Sequence, residues 1–186
     1  MRRGNVFVAL GANLPGPWGT PLEAVKRAAA ELDRAGTRLV RLSPIYESAA
    51  IGQPGQPPYV NAIAEIATHL PPESLLRKLK RLESRAGRRG RNAPWGARNL
   101  DLDIVDYDGR ISGWHGSTPI MAEAGPRRLT LPHPQAHLRP FVLVPLADIA
   151  PDWRHPVLKR SVTQLQASVP GGTSDDGLRR LVGAKH

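Results

Sequence analysis

The chain has 186 residues, of which 40% are hydrophobic and 23% charged, and this balance excludes global disorder and predicts one folded domain. It contains no cysteine, which excludes disulfides, thiolate metal sites and a cysteine nucleophile. The formal net charge of +10 favours anionic partners such as nucleotides, nucleic acid or an acidic membrane surface.

The sequence offers no strong signal for export or membrane insertion. Arg2 and Arg3 precede the apolar run at residues 6–10, but this run is too short for the core of a signal peptide. The apolar stretch at 141–150 is interrupted by Pro145 and falls short of the roughly 20 residues that a membrane helix needs. We therefore expect a cytoplasmic protein that does not associate with membranes.

The first predicted elements are a strand and an amphipathic helix. Residues 6–10 form an apolar run that ends at a glycine, as in a strand buried on both faces. Thr20, Pro21 and Glu23 predict the start of a helix, because threonine caps the first turn, proline suits its first position and the glutamate completes a capping box. Gly36 marks the end of this region.

The middle of the chain predicts three more strands and a second helix. Residues 38–46 and 59–68 are β-prone runs separated by a loop rich in glycine, proline and glutamine. The second helix begins near Pro72, carries leucines at helical spacing and has a strongly basic opposite face. The last strand, residues 99–107, is followed by Asp108-Gly109, a dipeptide typical of tight turns.

This order of elements is the βαββαβ pattern of the ferredoxin-like α+β fold, in which the helices pack on one face of an antiparallel sheet. Later segments would be additions to this core, including an apolar segment at 141–150 and a short helix near 161–168. We expect a single domain over residues 1–169. The remaining residues, 170–186, are rich in glycine and polar side chains and predict a poorly ordered tail.

The densest chemical signal lies near the predicted fourth strand. Nine lysines or arginines and one acid, Glu83, occur between residues 77 and 98, and Asp101 and Asp103 follow. Residues two apart on a strand point to the same face, so the two carboxylates would lie side by side while Leu102 faces the core. Paired carboxylates suit Mg²⁺, which proteins usually hold together with substrate phosphates.

The neighbouring arginines strengthen this interpretation. Arg88, Arg91 and Arg98 flank the strand, and guanidinium groups bind phosphate oxygens through two parallel hydrogen bonds. Two solvated surface acids remain the alternative for the aspartate pair alone, and a solvated helix face remains the alternative for the basic residues at 77–81. Together, the acids and the arginines predict a metal–phosphate site.

Two other motifs are incomplete. Residues 11–16 match the first half of a Walker loop, but Pro17 and Trp18 occupy the positions where lysine and a hydroxyl residue are required. His133 and His137 have a spacing that could ligate zinc, yet no glutamate partner motif accompanies them. Any ATP would therefore be held by a different kind of site.

Several motifs occur together in one known family. The longest are Trp-Gly-Ala-Arg-Asn-Leu-Asp-Leu-Asp-Ile at 95–104, Leu-Pro-His-Pro at 131–134 and Arg-Pro-Phe-Val-Leu-Val-Pro at 139–145, and shorter pieces lie at 9–14, 43–46 and 56–62. In order and spacing they resemble the 6-hydroxymethyl-7,8-dihydropterin pyrophosphokinase family. The resemblance covers residues 5–158 and implies transfer of pyrophosphate from ATP to the pterin, with AMP as the second product, in folate biosynthesis.

The resemblance also implies roles for individual residues on the nucleotide side. Asp101 and Asp103 would bind two Mg²⁺ ions that bridge the ATP phosphates. Arg88 and Arg98 would act on the phosphates during transfer. The residues implied around the ATP are Lys80, Arg91, Trp95, His133 and Arg139.

On the pterin side, the resemblance implies that the ring lies between Tyr59 and Phe141. Its polar edges would be read by Asn61 and by backbone groups near Ser48 and Ile51. Stacking supplies affinity for a flat heteroaromatic ring, and a side-chain amide orients it. Taken singly, the two aromatic residues could be ordinary core residues, and the asparagine could satisfy backbone groups at a strand edge.

Three features depart from the family pattern. Pro94 stands where a basic residue is usual, Lys80 stands where glutamine is common, and the stretch at 109–131 is longer than usual. These departures concern contacts with the nucleotide more than contacts with the metal.

The rival hypothesis is a ferredoxin-like RNA-binding domain, suggested by the same topology and by the basic charge. Such domains stack bases on aromatic residues of their central strands. Here the first strand offers only Phe7, and the fourth offers two aspartates that would repel a nucleic-acid backbone. We therefore expect ATP and a hydroxymethyl-dihydropterin as partners, no nucleic acid, and a monomer.

Overall fold

The computed structural model describes residues 5–49, 55–87, 97–119, 129–170 and 177–182. In chain order the elements are β1 (Asn5–Ala12), α1 (Pro21–Glu31), β2 (Thr37–Leu42), β3 (Ile45–Ser48), β4 (Tyr59–Thr68), α2 (Pro72–Arg85), β5 (Asp101–Tyr107), β6 (Trp114–His115), β7 (Thr118–Pro119), a 3-10 helix (Ala136–Leu138), α3 (Pro140–Ile149), α4 (Val162–Gln166) and β8 (Leu178–Val182).

One antiparallel sheet organises the fold. Its strand order is β5-β1-β4-β3-β8, and β2 pairs with β4 in line with β3. Counting β2 and β3 as one interrupted strand, the order β1, α1, β2/β3, β4, α2, β5 is the βαββαβ pattern. The predicted ferredoxin-like α+β fold is therefore confirmed.

The two predicted helices pack on the same face of this sheet. The Thr20 side chain accepts a hydrogen bond from the Glu23 N–H at 3.3 Å, and the Glu23 carboxylate accepts one from the Thr20 N–H at 2.7 Å. This capping box satisfies backbone groups that the first turn of α1 leaves open. Helix α2 buries Leu75 and Leu79 against the sheet residues Val8 and Leu10 in a single core.

The additions to the pattern cover the opposite face. Helix α3, which forms the apolar segment at 141–150, packs Val142, Leu143 and Leu146 with Phe7 and Ile63 from the sheet. Helix α4 joins this second core. Among the described residues, no helix combines the length and apolar character needed to cross a bilayer.

The predicted strand at 38–46 is divided into β2 and β3. Pro44 has no N–H to donate to the ladder, and at this point the Ser43 hydroxyl accepts a hydrogen bond from the Ile63 N–H at 2.9 Å. The Ser43 N–H still donates to the Ile63 carbonyl, also at 2.9 Å. The strand therefore breaks without leaving the backbone of β4 unsatisfied.

The C-terminal region differs from the expected poorly ordered tail. Residues 178–182 form β8, which pairs with β3, and Leu178 is buried with Tyr46 and Val144. The edge of β3 presents backbone groups that another strand can pair, and composition alone does not reveal such an edge. The single domain over residues 1–169 stays a prediction.

Candidate active site

The register of the sheet aligns the central residues of the site in one row. Asp101 on β5, Gly11 on β1, Asn61 on β4 and Tyr46 on β3 are successive cross-strand partners. Cross-strand partners project from the same face, which here is the face covered by α3. Gly11 has no side chain to place between the carboxylate and the amide, and a Cβ there would lie 3.5 Å from Asn61 Oδ1, in ordinary van der Waals contact.

The two aspartates occupy neighbouring rows of that face. Asp103 pairs with Ala9, one row beyond Asp101, and Leu102 between them is fully buried against α1 and α2. The side chains of Asp101 and Asp103 are 29% and 33% exposed, which leaves both carboxylates reachable from solvent. The alternation predicted from the sequence is confirmed.

The surroundings act differently on the two carboxyl groups. Burial and the neighbouring Asp103 raise the pKa of Asp101 to about 6, although the Arg98 guanidinium lies 3.4 Å from its Oδ1. Burial would also raise the pKa of Asp103, but His133 in its protonated form and the positive Lys80 and Arg139 outweigh burial and lower the pKa. Two acids this close repel each other when both are ionised.

Two side chains of α2 hold the outer edge of β5. Among the described strands β5 pairs with β1 and lies at the edge of the sheet. Glu83 accepts a hydrogen bond from the Leu102 N–H at 2.8 Å, and Lys80 Nζ donates to the Leu102 carbonyl at 3.2 Å. Lys80 Nζ also donates to Glu83 at 2.6 Å and lies 3.7 Å from Asp103 Oδ1. Helix α2 therefore fixes the backbone between the aspartates.

His133 and Arg139 approach the aspartates from the segment that precedes α3. His133 Nε2 lies 3.9 Å from Asp103 Oδ2, and its backbone N–H donates to the Val105 carbonyl at 2.8 Å. Burial lowers the pKa of His133, so the imidazole is neutral at neutral pH and Lys80 and Arg139 are the lasting positive neighbours of Asp103.

Gln135, which the sequence analysis did not single out, holds both of these side chains. Its backbone N–H donates to His133 Nδ1 at 3.1 Å, and its Oε1 accepts from Arg139 at 2.5 Å. We call the set Lys80, Arg98, Asp101, Asp103, His133 and Arg139 the charged half of the site.

The other half is neutral and lies on β3, β4 and the start of α3. Asn61 is buried, and its Nδ2 donates to Ser48 Oγ at 2.9 Å and to the Tyr59 carbonyl at 3.4 Å. Burial raises the pKa of Tyr59, whose ring lies near Arg98 and Asp101. Phe141 packs with both the second core and the Tyr46 cluster. We call Ser48, Tyr59, Asn61 and Phe141 the neutral half of the site.

The structure therefore brings together ten of the residues predicted for the site. The other four predicted residues lie outside the described ones. They are Ile51, Arg88, Arg91 and Trp95.

Asn13 ties the two halves together, although the sequence analysis assigned it no role. It is buried, and its Oδ1 accepts from the Arg98 N–H at 2.7 Å while its Nδ2 donates to the Pro57 carbonyl at 3.2 Å and to Gln56 at 3.4 Å. Arg98 belongs to the charged half, and Gln56 and Pro57 lead into the strand that carries Tyr59. In the sequence, the signal for such a role was the position of Asn13, a polar residue directly after a buried strand.

Comparisons with known proteins identify the family of the chain. The family model for 7,8-dihydro-6-hydroxymethylpterin-pyrophosphokinase (HPPK) matches residues 7–151. A Pseudomonas aeruginosa protein named 2-amino-4-hydroxy-6-hydroxymethyldihydropteridine pyrophosphokinase is 39% identical over 180 residues, covering 96% of this chain and 98% of the relative. A Haemophilus influenzae protein of the same name is 42% identical over 147 residues, covering 78% of this chain and 81% of the relative.

A solved structure shows the same fold. The Plasmodium falciparum HPPK-DHPS triple mutant with pteroate superposes with a TM-score of 0.65 at 13% identity, over 95% of this chain and 46% of that longer chain. At this identity the likeness concerns the fold alone. The family model and the two relatives concern the sequence itself, and on that ground the chain belongs to the 7,8-dihydro-6-hydroxymethylpterin-pyrophosphokinase family.

Proposed function

We propose that this protein transfers pyrophosphate from ATP to 6-hydroxymethyl-7,8-dihydropterin, giving AMP and the pterin pyrophosphate in folate biosynthesis. The observation that carries the proposal is the row in which Asp101 and Asn61 face the same side of the sheet across Gly11. A carboxylate suited to phosphate-bound cations and an amide suited to the edge of a heterocycle thus flank the same glycine. Membership of the family supports the same reaction.

The aspartate pair fits a divalent cation. Both carboxylates are partly exposed, and burial together with the neighbouring Asp103 raises the pKa of Asp101 to about 6, an unfavourable ionisation that a bound cation would relieve. We propose that Asp101 and Asp103 hold two Mg²⁺ ions. When bound, Mg²⁺ would neutralise negative charge on the ATP phosphates.

The positive side chains of the charged half are suited to the ATP phosphates. Arg98 is placed beside Asp101, and Lys80 and Arg139 are placed beside Asp103, so that phosphate oxygens near the aspartates would meet all three. His133, whose Nδ1 accepts from the Gln135 N–H, carries its proton on Nε2 when neutral and can donate one hydrogen bond at the nucleotide. We propose that Arg88, Arg91 and Trp95 add to this set, on the family resemblance alone.

The neutral half is suited to the pterin ring. Because Asn61 Nδ2 already donates to Ser48 and to Tyr59, its Oδ1, on the side of Gly11, is the atom suited to accept an N–H from the ring edge. Tyr59 and Phe141 would stack on the two faces of the ring. Ser48 and, by resemblance, Ile51 would complete the edge contacts.

The reaction itself needs little covalent help. The hydroxymethyl oxygen of the pterin would attack the β-phosphorus of ATP, the bond from that phosphorus to the α–β bridging oxygen would break, and AMP would leave while the hydroxyl proton passes to water. Such transfers depend on alignment and charge neutralisation. The charged half supplies the neutralisation, and the neutral half holds the hydroxymethyl group in line.

A product analysis tests the proposal. The purified protein is incubated with ATP, MgCl₂ and 6-hydroxymethyl-7,8-dihydropterin, and the nucleotide products are separated by anion-exchange chromatography. We expect AMP in equal amount to the pterin pyrophosphate, and no AMP when the pterin is omitted or EDTA is added. ADP as the product would contradict the proposal, because ADP reports transfer of a single phosphoryl group.

We also propose that the protein acts as a monomer in the cytoplasm. The described residues of a single chain supply both halves of the site, which supports a monomer. Light scattering on the purified protein tests this proposal, and a mass of two chains would contradict it.

A further inference from the structure

The long stretch between β5 and His133 contains the β6–β7 hairpin, which is fastened to the segment that follows it. The Ser112 N–H donates to the Leu131 carbonyl at 2.8 Å, and the Leu131 N–H donates to the Ser112 carbonyl at 2.9 Å. Gly113 has φ +71°, and a Cβ there would lie 2.7 Å from Thr130 Oγ1, which is closer than a side chain can approach. The hairpin is thus held directly against residues 130 and 131.

Trp114 is the hairpin residue that reaches the wall of the site. Its indole N–H donates to the Pro132 carbonyl at 3.0 Å. Its ring lies 6.1 Å from the His137 ring and 5.5 Å from the ring of the buried His155, measured between centroids. One side chain therefore contacts the segment 131–139 at two points and joins it to the core beneath.

The same segment carries two groups of the charged half. Pro132 immediately precedes His133, and His137 lies two residues before Arg139. Prolines on both sides of His133 restrict its backbone dihedral angles. A displacement of Pro132 should therefore also displace His133, because the backbone between them cannot adjust. His133 in turn faces Asp103 at 3.9 Å.

We infer that Trp114 is a positioning residue, which holds His133 and Arg139 in place for the nucleotide through the Pro132 carbonyl and the His137 ring. The inference rests on the proposed function, because it takes His133 and Arg139 to contact ATP. Trp114 belongs to the stretch at 109–131, which is longer than usual for the family pattern.

Two substitutions separate the contributions of the ring and of its N–H. Trp114→Phe keeps an aromatic ring against His137 and removes the hydrogen bond to Pro132, whereas Trp114→Leu removes both. Misplacement of a group at the site by about 1 Å can lower the reaction rate by up to about a hundredfold. For nucleotide binding we expect Trp114→Leu to lower the affinity about tenfold and Trp114→Phe about threefold. Pterin affinity should stay within about twofold, because Ser48, Tyr59 and Asn61 lie on β3 and β4, and only Phe141 of the neutral half adjoins the segment 131–139.

The measurement is calorimetry with α,β-methylene ATP and MgCl₂, since the methylene bridge replaces the bond that the reaction would break. Steady-state KM values for ATP and pterin give a second readout, and thermal melting reports on folding. His115→Ala is the matched control, because His115 is the neighbouring hairpin residue and is exposed. It should leave the affinity for the nucleotide unchanged.

His133→Ala separates failure of the inference from failure of the proposed function. If His133→Ala does not weaken nucleotide binding, the nucleotide side is misassigned and the inference fails with it. If His133→Ala weakens nucleotide binding and neither Trp114 variant does, the positioning role alone is overturned. Equal weakening of both ligands in the Trp114 variants, together with a lower melting temperature, would show that Trp114 serves only the fold.

Discussion

The charged and neutral halves of the site lie on either side of β1 in the same sheet, but they are held in place by different means. The charged half is restrained by pairs of unlike charge, such as Arg98 with Asp101 and Lys80 with Glu83. The neutral half is restrained by hydrogen bonds from one buried amide, Asn61. Removing one partner of a charge pair costs more free energy than removing one partner of a neutral hydrogen bond. Substitutions in the charged half should therefore have the larger effects.

The largest effect is expected at the aspartates. Asp103→Ala removes one of the paired carboxylates from a partly exposed strand face, so the fold should survive while cation binding fails. Loss of charge stabilisation worth ~3 kcal/mol lowers kcat by about a hundredfold or more. Steady-state kinetics with circular dichroism measures both properties. Asp152→Ala, at an exposed acid away from the site, is the control and should keep full activity.

Retention of more than about a tenth of the wild-type kcat in Asp103→Ala would contradict the assignment, because the loss would then be under ~1.4 kcal/mol. Asp101→Ala should behave in the same way as Asp103→Ala. A large difference between the two variants would mean that a single carboxylate holds the cation.

The second prediction concerns the pH dependence of stability that arises from His155, which lies beneath the segment carrying His133 and Arg139. His155 is fully buried beneath Trp114 and His137, its Nδ1 accepts from two backbone N–H groups, and burial lowers its pKa to about 4. The unfolded chain binds a proton near pH 6.5 and the folded chain does not, so stability falls as the pH drops from about 6.5 to about 4. The loss approaches ~3 kcal/mol at the acid end of this window.

Urea unfolding at several pH values measures this loss. The matched variant is His155→Asn, whose side-chain oxygen can accept the same backbone N–H groups and does not titrate. Its free energy of unfolding should depend less on pH than that of the wild type in the same window. Burial also lowers the pKa of His137, so some pH dependence should remain. Equal slopes for the two proteins would show that His155 is not kept neutral by the fold.

The third prediction concerns the neutral half. Asn61→Ala removes the amide suited to the ring edge and leaves the aspartates untouched, so affinity for the pterin should fall about tenfold, or ~1.4 kcal/mol. Affinity for α,β-methylene ATP should not change. Calorimetry with each ligand decides the question, and Ser48→Ala, which removes a partner of the amide, should show a smaller loss of the same kind. Equal losses for both ligands would remove Asn61 from the pterin site.

The last prediction concerns the junction between the halves, where a smaller effect than at Asn61 is expected. Asn13→Ala removes the hydrogen bonds that join Arg98 to Gln56 and Pro57. Because both halves lose a support rather than a ligand contact, affinity for ATP and for pterin should each fall about fivefold, or ~1 kcal/mol. Gln56→Ala removes one of the three hydrogen-bond partners of Asn13. Its affinities for ATP and for pterin should lie between those of Asn13→Ala and those of the wild type. A loss confined to one ligand would mean that Asn13 supports that half alone.

Local rules of sequence were sufficient for part of the site. The alternation of Asp101 and Asp103 with a buried Leu102 follows from the two-residue period of a strand, and the start of α1 follows from its capping box. The motifs at 95–104, 131–134 and 139–145 identified the family. Such features depend on residues close together in the chain, which is why they can be recognised without the fold.

Other features depended on residues far apart. The placement of Asn61 across Gly11 from Asp101 is set by the register of three strands, and a shift of one residue would turn every side chain to the other face. The Asn13 junction, the Trp114 contacts and the pairing of β8 with β3 also join distant segments. The sequence by itself determined the chemistry of the site, because side-chain types and short spacings are local. Only the tertiary structure decided which of these groups meet, because register and packing are settled by the free energy of the whole fold.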